Sequence, residues 1–344
     1  MKKNILDKKI WGLLISIIFI VFIFSKVDIG KTLESFSRIN PLYFLIIIPV
    51  YWFSFLFRAY RWQLILSNNK MLEIKSLISA LFIGYMANSF LPARMGEIYR
   101  AHLLGKKENI GRFKVFASII LERIFDGLIL FLIVFTFVVL LFSKSWLCKL
   151  AFISGLIFIG GFLFLLAFAK AEKLNKINFS LIEKNVREKF ILKLPFVFQE
   201  KTEFLFNKIS YYSRSFIEGL DIFHCFDSLV KSLFFSLIIW FIEACVVFLV
   251  ISSFGVSTSP LLAFFVLGVT TLSTMIPSGP ASIGPYQYGY ILAFEILSIN
   301  KETALAVSIV NQLIVVFCVS TAGLFFTIKD RINIKELEEK TQIQ

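Results

Sequence analysis

Long runs of apolar residues, separated by short polar segments, set the pattern of this chain. A helix that crosses a bilayer needs about 20 mostly apolar residues. Six runs meet that requirement and predict spanning helices near residues 8–25, 41–62, 115–142, 147–170, 228–254 and 304–328. The pattern therefore predicts an all-α, polytopic membrane protein.

Two further apolar stretches, at 76–92 and 261–277, end in turns that contain proline and continue as shorter helical segments. If the first stretch crossed the membrane outward, the basic segment 93–114 would face the exterior, although Lys and Arg favour cytoplasmic loops. A re-entrant hairpin, which enters and returns on one side, keeps this segment in the cytoplasm. The same reasoning makes residues 282–297 the returning arm of a second hairpin that enters from outside.

The two hairpins and their flanking helices predict an inverted-topology repeat. Residues 81–99 can be laid over residues 265–287, and residues 118–122 over residues 308–312. In the first half the hairpin enters from the cytoplasm, and in the second half it enters from the exterior. The alternative is chance similarity, because biased composition also produces matches between apolar segments.

The predicted organisation has five parts. A retained N-terminal transmembrane helix (1–30) precedes the first membrane repeat with its cytoplasmic hairpin (41–142). A transmembrane helix and a cytoplasmic amphipathic segment (147–227) follow, then the second membrane repeat with its outer hairpin (228–328) and a tail (329–344). Basic residues place both termini in the cytoplasm, and the first apolar stretch lacks the small-residue cleavage site of a signal peptide.

Composition narrows the class of protein further. A chain with 58% hydrophobic residues and 42 Phe is too apolar for a soluble globule. Its net charge of +13 lies in short loops beside apolar spans, so nucleic-acid binding is not expected. The four Cys and two His are scattered, which indicates no disulfide framework, metal site or cofactor. The known nucleotide-binding and nucleophile motifs are absent from the sequence, so soluble-type catalysis is not expected.

Ionisable residues concentrate where the first hairpin meets the next helix. Unpaired, each would cost on the order of 2.5–3.5 kcal/mol at the centre of a membrane helix. The segment holds three arginines and three carboxylates: Arg94, Glu97, Arg100, Glu122, Arg123 and Asp126. Because guanidinium fits carboxylate and phosphate equally well, the cluster is predicted to bind a lipid phosphate, with a purely structural salt network as the alternative. Arg123 is expected to pair with Asp126, three residues later, and Arg94 and Arg100 with Glu97. Arg58 and Arg61, at the inner end of the second predicted helix, would either join this site or extend towards headgroups, and the second is favoured.

The turn of the second hairpin predicts a different anion site. Gly permits a close approach of backbone, and Pro285 suits a first helical turn, so the half-helix would direct N–H groups and its positive dipole end at a phosphate. The residues assigned to this site are Ser278, Gly279, Ser282 and Gly284. A tight turn without a ligand is the alternative. Other polar residues predicted within the membrane are Asn88, Glu243, Gln287, Asn311 and Gln312. Such groups are candidates for function; Glu243 would bind a proton or a substrate cation, or bond to Gln312.

Three segments carry a family resemblance: 88–97, 121–127 and 277–284. Their most specific patterns are Pro92-x-Arg94-x-Gly96-Glu97 and Glu122-Arg123-x-x-Asp126. With them, the chain from about residue 10 to residue 328 resembles the flippase-like transmembrane region of the lysylphosphatidylglycerol synthase family. The resemblance adds Gly96 to the predicted headgroup site.

In full-length synthases that region moves aminoacylated phospholipid between leaflets, while a separate soluble domain transfers the amino acid from tRNA. The soluble domain is expected to be absent here, because a short tail follows the last predicted helix. The outer turn also departs from the family's Pro-Gly-Gly-like pattern by reading Ser-Gly-Pro-Ala-Ser.

The sequence therefore predicts a flippase- or scramblase-like translocase of the cell membrane, which moves an anionic phospholipid or a polyprenol-linked headgroup. Two alternatives stay open. The chain would be a membrane subunit that docks a separate lipid-modifying transferase or glycosyltransferase through residues 171–227. Otherwise it would be an intramembrane transferase that uses Glu122 and Asp126 as an acid/base pair.

Overall fold

The computed structural model describes residues 2–66, 71–91, 95–140, 145–173, 187, 196–276 and 278–330. These residues form twelve α-helices, with no strand among them. The helices are α1 (Lys2–Lys26), α2 (Ile29–Ser37), α3 (Phe44–Leu66), α4 (Ile74–Phe90), α5 (Met95–Glu108), α6 (Arg112–Leu140), α7 (Ser145–Lys173), α8 (Phe196–Glu218), α9 (Phe226–Ser253), α10 (Pro260–Ser273), α11 (Pro285–Ile296) and α12 (Lys301–Lys329). The predicted all-α class is confirmed.

The outer surface of the bundle is apolar. Four segments in the described part of the chain are long and apolar enough to cross a membrane: Pro41–Leu66, Ser145–Lys170, Phe226–Ser253 and Lys301–Lys329. The other two helices predicted to span, α1 and α6, contain 25 and 29 residues. Large apolar side chains such as Leu45 and Phe152 are 74% and 72% exposed. An apolar surface of this extent needs lipid around it, so the protein is an integral, polytopic membrane protein.

The first hairpin is a pair of short antiparallel helices, α4 and α5. With 17 residues, α4 is about 26 Å long, which is less than a hydrocarbon layer of about 30 Å. Gly84 faces Arg100, and the backbone N–H of Gly96 donates to Asn88 Oδ1 at 2.8 Å. A Cβ atom on Gly96 would lie 2.1 Å from the carbonyl oxygen of Gly84. The glycines therefore allow the two backbones to touch.

The second hairpin, α10 and α11, has the same construction. Its helices contain 14 and 12 residues. Ser273 Oγ donates to the carbonyl oxygen of Pro285 at 2.8 Å, and a Cβ atom on Gly289 would lie 2.8 Å from Thr270 Cα. Pro285 starts α11, as its fixed φ and missing N–H favour. Both predicted hairpins are therefore present as helical hairpins.

The two halves pack reciprocally around these hairpins. Helix α3 of the first half lies against α9 of the second. The first arm of each hairpin contacts the last helix of the other half, α4 against α12 and α10 against α6. Close contacts mark both pairs, Gly323 against Met86 and Gly268 against Val134. This exchange is the packing that an inverted repeat produces.

Four of the described helices, α1, α2, α7 and α8, lie outside the paired halves (41–142 and 228–328). Helix α2, which the hydrophobic pattern does not reveal, begins where the Lys31 N–H donates to Asp28 Oδ1 at 3.2 Å. Helix α8 belongs to the segment predicted to be amphipathic. Its Tyr212 stacks on Phe113 of α6 with ring centroids 4.2 Å apart, while Phe204 is 68% exposed. Most of the segment before α8, and the tail from residue 331, lie outside the described residues.

Candidate functional site

Arg61 lies at the centre of a buried ion network. Its side chain is 0% exposed. It donates through Nη2 to Glu122 Oε1 at 2.7 Å and through Nη1 to Asp126 Oδ1 at 2.5 Å. Nη1 also donates to Ser236 Oγ at 2.8 Å, so one guanidinium joins α3 to α6 and α9. The expectation that Arg61 extends towards headgroups is wrong, because α3 turns this residue inward to carboxylates on α6.

Arg100 completes the buried side of the network. Its Nη2 donates to Glu122 Oε2 at 2.7 Å, and its guanidinium lies 3.6 Å from the centre of the Trp62 ring. Both oxygens of Glu122 are therefore engaged by arginine. Asp126 likewise accepts from Trp240 Nε1 at 3.1 Å. Each carboxylate oxygen of Glu122 and Asp126 therefore accepts at least one hydrogen bond from within the protein.

Two further ion pairs stand nearer the middle of the protein. Arg58 donates through Nη2 to Glu243 Oε1 at 2.8 Å and through Nη1 to the Tyr85 hydroxyl at 3.1 Å. Arg58 is 5% exposed, so it too is buried rather than extended towards headgroups. Arg123 Nε donates to Glu97 Oε1 at 2.8 Å.

The expected pair of Arg123 with Asp126 is present, with Arg123 Nη1 4.0 Å from Asp126 Oδ2. Two other expected pairings are corrected. Glu97, which was expected to pair with Arg94 and Arg100, bonds to Arg123 among the described arginines. Glu243 bonds to Arg58 rather than to Gln312, because α9 packs directly against α3.

The described network is balanced in charge. It contains four arginines and four carboxylates: Arg58, Arg61, Arg100, Arg123, Glu97, Glu122, Asp126 and Glu243. Balance matters because an unpaired buried charge costs several kcal/mol. For Arg58 and Arg61 the sequence favoured the headgroup region, although two Arg three residues apart in an apolar helix, and a Glu243 without a matched cation, were signals for buried ion pairs.

A cavity of about 280 Å³ separates the two hairpins. Its charged lining residues all come from α3, α5, α6 and α9: Arg58, Glu97, Arg123, Asp126 and Glu243. The opposite wall, from α10 to α12, is uncharged but rich in hydrogen-bonding groups: Thr271, Thr274, Ser282, Tyr286, Asn311 and Gln312. A polar cavity enclosed by apolar helices in this way is the arrangement expected of a site for a charged or polar ligand.

The outer turn is closed by its own hydrogen bonds. Gly284 has φ +101°, and its N–H donates to Gln287 Oε1 at 2.7 Å. The N–H of Gly279 donates to Ser16 Oγ of α1 at 2.8 Å. Gln312 Nε2 donates to the carbonyl oxygen of Ala281 at 2.6 Å. A phosphate at this turn would have to displace these protein acceptors.

The predicted site residues divide into three groups. Those that line the cavity are Asn88, Glu97, Arg123, Asp126, Glu243, Ser282, Asn311 and Gln312. Those that support its walls are Gly96, Arg100, Glu122, Gly279, Gly284 and Gln287. Ser278 is half-buried beside the turn, and Arg94 lies outside the described residues. The cavity is also lined by Tyr85, which the sequence did not single out, and by Arg58, for which the sequence favoured the headgroup region.

The fold and the site together define a class: an all-helical membrane protein in which two short helical hairpins enclose an ion-paired cavity. The particular family follows from comparison with known sequences. A family model described as "Lysylphosphatidylglycerol synthase TM region" matches residues 9–323. The chain belongs to this family, as the resemblance implied.

Several archaeal proteins are similar to the chain. A UPF0104 membrane protein of Methanothermobacter thermautotrophicus is 22% identical over 302 residues, which cover 86% of this chain and 87% of the relative. A UPF0104 membrane protein of Methanocaldococcus jannaschii is 28% identical over 251 residues, covering 72% of this chain and 96% of the relative. The glycosyltransferase AglD of Haloferax volcanii is 27% identical over 116 residues, 33% of this chain and 19% of AglD. No solved structure shows a significant match.

Proposed function

We propose that this protein translocates an anionic lipid headgroup between the leaflets of the cell membrane. The observation that carries the proposal is the cavity of about 280 Å³ between the hairpins, which is lined by two guanidinium groups, Arg58 and Arg123. Pockets that enclose whole drug-sized ligands range from about 300 to 1,000 Å³. The cavity therefore has a suitable size for a lipid headgroup, while the acyl or prenyl chains of that lipid would stay in the surrounding bilayer.

Ion-pair exchange is the proposed chemistry of binding. Arg58 and Arg123 each bond to a carboxylate at 2.8 Å. Because guanidinium bonds carboxylate and phosphate with the same planar geometry, a lipid phosphate would replace Glu243 or Glu97 without leaving a bare cation. Reciprocal packing of the two halves provides two similar bodies that would rock around the site.

A liposome assay tests the proposal. Purified protein is reconstituted with lipids that carry a fluorophore on the acyl chain, and dithionite then quenches the fluorophore in the outer leaflet. We expect the protein to accelerate exchange of at least one anionic phospholipid or polyprenyl phosphate. Arg123→Gln should reduce the rate at least about ten-fold, as loss of a charged hydrogen bond predicts. No acceleration for any of these lipids would refute the proposal.

The matched control is Arg38→Gln. Arg38 pairs with Glu34 at the surface, where the two side chains are 63% and 64% exposed. Its substitution removes the same charge and the same kind of ion pair outside the cavity. We expect wild-type exchange from this variant, and a loss equal to that of Arg123→Gln would show that the cavity is not the route.

The proposed orientation places both termini and the open end of the α4–α5 hairpin in the cytoplasm, as the basic loops favour. A Lys106→Cys variant should react with a membrane-impermeant maleimide from the cytoplasmic side alone. The exposed Cys148 and Cys225 are replaced by Ser in this background. Labelling of the introduced cysteine from the exterior would contradict the mirrored architecture.

A second candidate function is that of a membrane subunit for a separate glycosyltransferase. The similarity to part of a protein named as a glycosyltransferase favours it. Helix α8 would offer the docking surface, since Phe204 and Ile209 are 68% and 61% exposed. Co-purification of a glycosyltransferase that is lost in a Phe204→Ser/Ile209→Ser variant, yet retained in Arg123→Gln, would support this function over translocation.

A further inference from the structure

A second cavity, here called the basic cavity, lies where α8 packs across the end of α5 and the start of α6. Its volume is about 700 Å³, and its described lining residues come from α5, the turn after it, α6 and α8. None of these residues also lines the cavity between the hairpins. The basic cavity is large enough for a whole small ligand and forms a separate site.

Small residues bring α8 close to α6 and so form one wall of the basic cavity. A Cβ atom on Gly111 would collide with Ser215 Oγ. A Cβ atom on Gly219 would lie 2.6 Å from Ala117 Cβ. These close contacts fix α8 against α6, so the cavity is a built part of the fold.

The charged residues that line the basic cavity are both cations, Lys106 and Arg112. The stem of Arg112 lies over the helix turn beside Lys106, because a Cβ atom on Gly105 would lie 3.0 Å from Arg112 Cγ. No carboxylate is among the described lining residues, and Glu108, which lies between the two cations in sequence, does not line the cavity. His102, another lining residue, adds no negative charge in either protonation state. The basic cavity therefore favours an anion, and phosphate is a common ligand of Lys and Arg.

An apolar groove of about 430 Å³ adjoins the basic cavity. The two spaces share Phe113 and Tyr212, whose stacked rings have centroids 4.2 Å apart. The other described lining residues of the groove, none of them charged, are Phe164, Leu165, Phe168, Ile209, Ser213, Phe216 and Ile217. Those from α7 belong to a segment that is long and apolar enough to cross a membrane, and Phe164 is 67% exposed. The groove thus lies on the part of the surface that lipid covers.

We propose that the basic cavity and the apolar groove form a second lipid site, which holds an anionic phospholipid by its phosphate at Lys106 and Arg112 and by one acyl chain along Phe164 and Phe168. The two cations select the negative charge, and the adjoining groove selects a ligand that carries an apolar chain, which a soluble phosphate lacks. The site lies on the face proposed to be cytoplasmic, where anionic lipids give the leaflet a negative surface potential. It stands whether or not the cavity between the hairpins carries lipid across the membrane.

Photo-crosslinking of the wild-type protein in detergent tests the position of the chain. The probe is phosphatidic acid with a diazirine on one acyl chain, and the attached peptides are identified by mass spectrometry after irradiation and digestion. We expect attachment within residues 164–168 of α7 or 209–217 of α8. The same chain on phosphatidylcholine should attach there at least about five-fold less, because each basic residue near an anionic lipid contributes roughly this factor. Glycerol 3-phosphate, which has the phosphate but no chain, should not displace the probe at equal concentration.

Substitution of the two cations tests the headgroup end of the site. Both side chains are exposed, so Lys106→Gln/Arg112→Gln should fold. It should lower attachment of the phosphatidic acid probe at these segments at least about ten-fold, since two basic residues are removed, and leave the phosphatidylcholine probe unchanged. Lys31→Gln/Arg38→Gln is the matched control, because it removes one exposed lysine and one exposed arginine from α2, and it should keep wild-type attachment.

The outcomes separate this inference from the proposed function. Equal attachment of the two probes, or wild-type attachment in Lys106→Gln/Arg112→Gln, overturns the role of the cations. Displacement by glycerol 3-phosphate at equal concentration shows that phosphate alone is the ligand and overturns a lipid site. Absence of attachment at both segments also overturns it and leaves this face of α8 to the protein partner considered above. The expected attachment in a protein that exchanges no lipid between leaflets would refute the proposed function alone.

Discussion

Replacing Arg61 by leucine tests whether the buried ion network stabilises the fold. Arg61 of α3 is the direct ionic partner of Asp126 and shares Glu122 with Arg100. Without it, Asp126 keeps a hydrogen bond from Trp240 at 3.1 Å and a guanidinium at 4.0 Å. Glu122 keeps its contact with Arg100. The substitution therefore leaves one carboxylate, Asp126, largely uncompensated.

The expected loss follows from burial. Removing one partner of a buried ion pair typically costs about 3–5 kcal/mol, and we expect about 3 kcal/mol here because Glu122 retains a partner. An exposed pair contributes about 0–1 kcal/mol, so Arg38→Leu, which breaks the exposed pair with Glu34, is the matched control. The double variant Arg61→Leu/Asp126→Leu should recover part of the loss, since it removes the stranded carboxylate as well.

Denaturation of purified protein in detergent measures these differences. Wild type, Arg61→Leu, Arg38→Leu and the double variant are compared by the midpoint of unfolding at one detergent concentration. The expected order of stability is wild type and Arg38→Leu first, then the double variant, then Arg61→Leu. If Arg61→Leu and Arg38→Leu have the same midpoint of unfolding, the ion network does not stabilise the fold and the reasoning from burial is refuted.

Three further predictions concern the α4–α5 hairpin and the ion pair between Lys107 and Asp330. Gly96→Val should abolish most folded protein, because even a Cβ atom would lie 2.1 Å from the Gly84 carbonyl oxygen. Gly160→Val is the control and should fold normally, since a Cβ atom on Gly160 would meet nothing within 4 Å. The yield of monodisperse protein is the measurement, and equal yields of the two variants would contradict the close packing of the hairpin. Asp330→Asn should destabilise the protein at neutral pH, because partial burial opposes ionisation of Asp330 but the hydrogen bonds from Lys107 and Ser79 outweigh it and lower its pKa below the usual 3.8. The difference between wild type and this variant should be constant above about pH 4 and shrink as the pH falls through the lowered pKa, since a carboxylate favoured in the folded state stabilises only while ionised. A difference that does not shrink at all as the pH falls below about 4 would contradict this assignment.

Much of the site could be anticipated from residue chemistry. Charge in an apolar chain must be paired, so the sequence located Glu97, Arg123, Asp126 and Glu243 before any contact was known, and the structure places all four at one cavity. The ion-pair partner of each charged residue could not be predicted in the same way. Arg58 was assigned to the headgroup region because the sequence does not show whether an arginine near the end of an apolar helix faces the headgroups or the interior of the protein.

The sequence by itself determined the class of protein, the long apolar helices and the two hairpins, because bilayer thickness and the positive-inside rule act on local segments. Only the tertiary structure decided which arginine meets which carboxylate, since α3 and α9 are distant in sequence and lie side by side in the bundle. It also decided that both polar atoms of the Gln312 amide bond to protein, whereas the Asn311 amide oxygen has no hydrogen-bond partner within the described part of the chain. Such differences depend on how each helix is oriented about its own axis relative to its neighbours, and the hydrophobic pattern of the sequence does not determine that orientation.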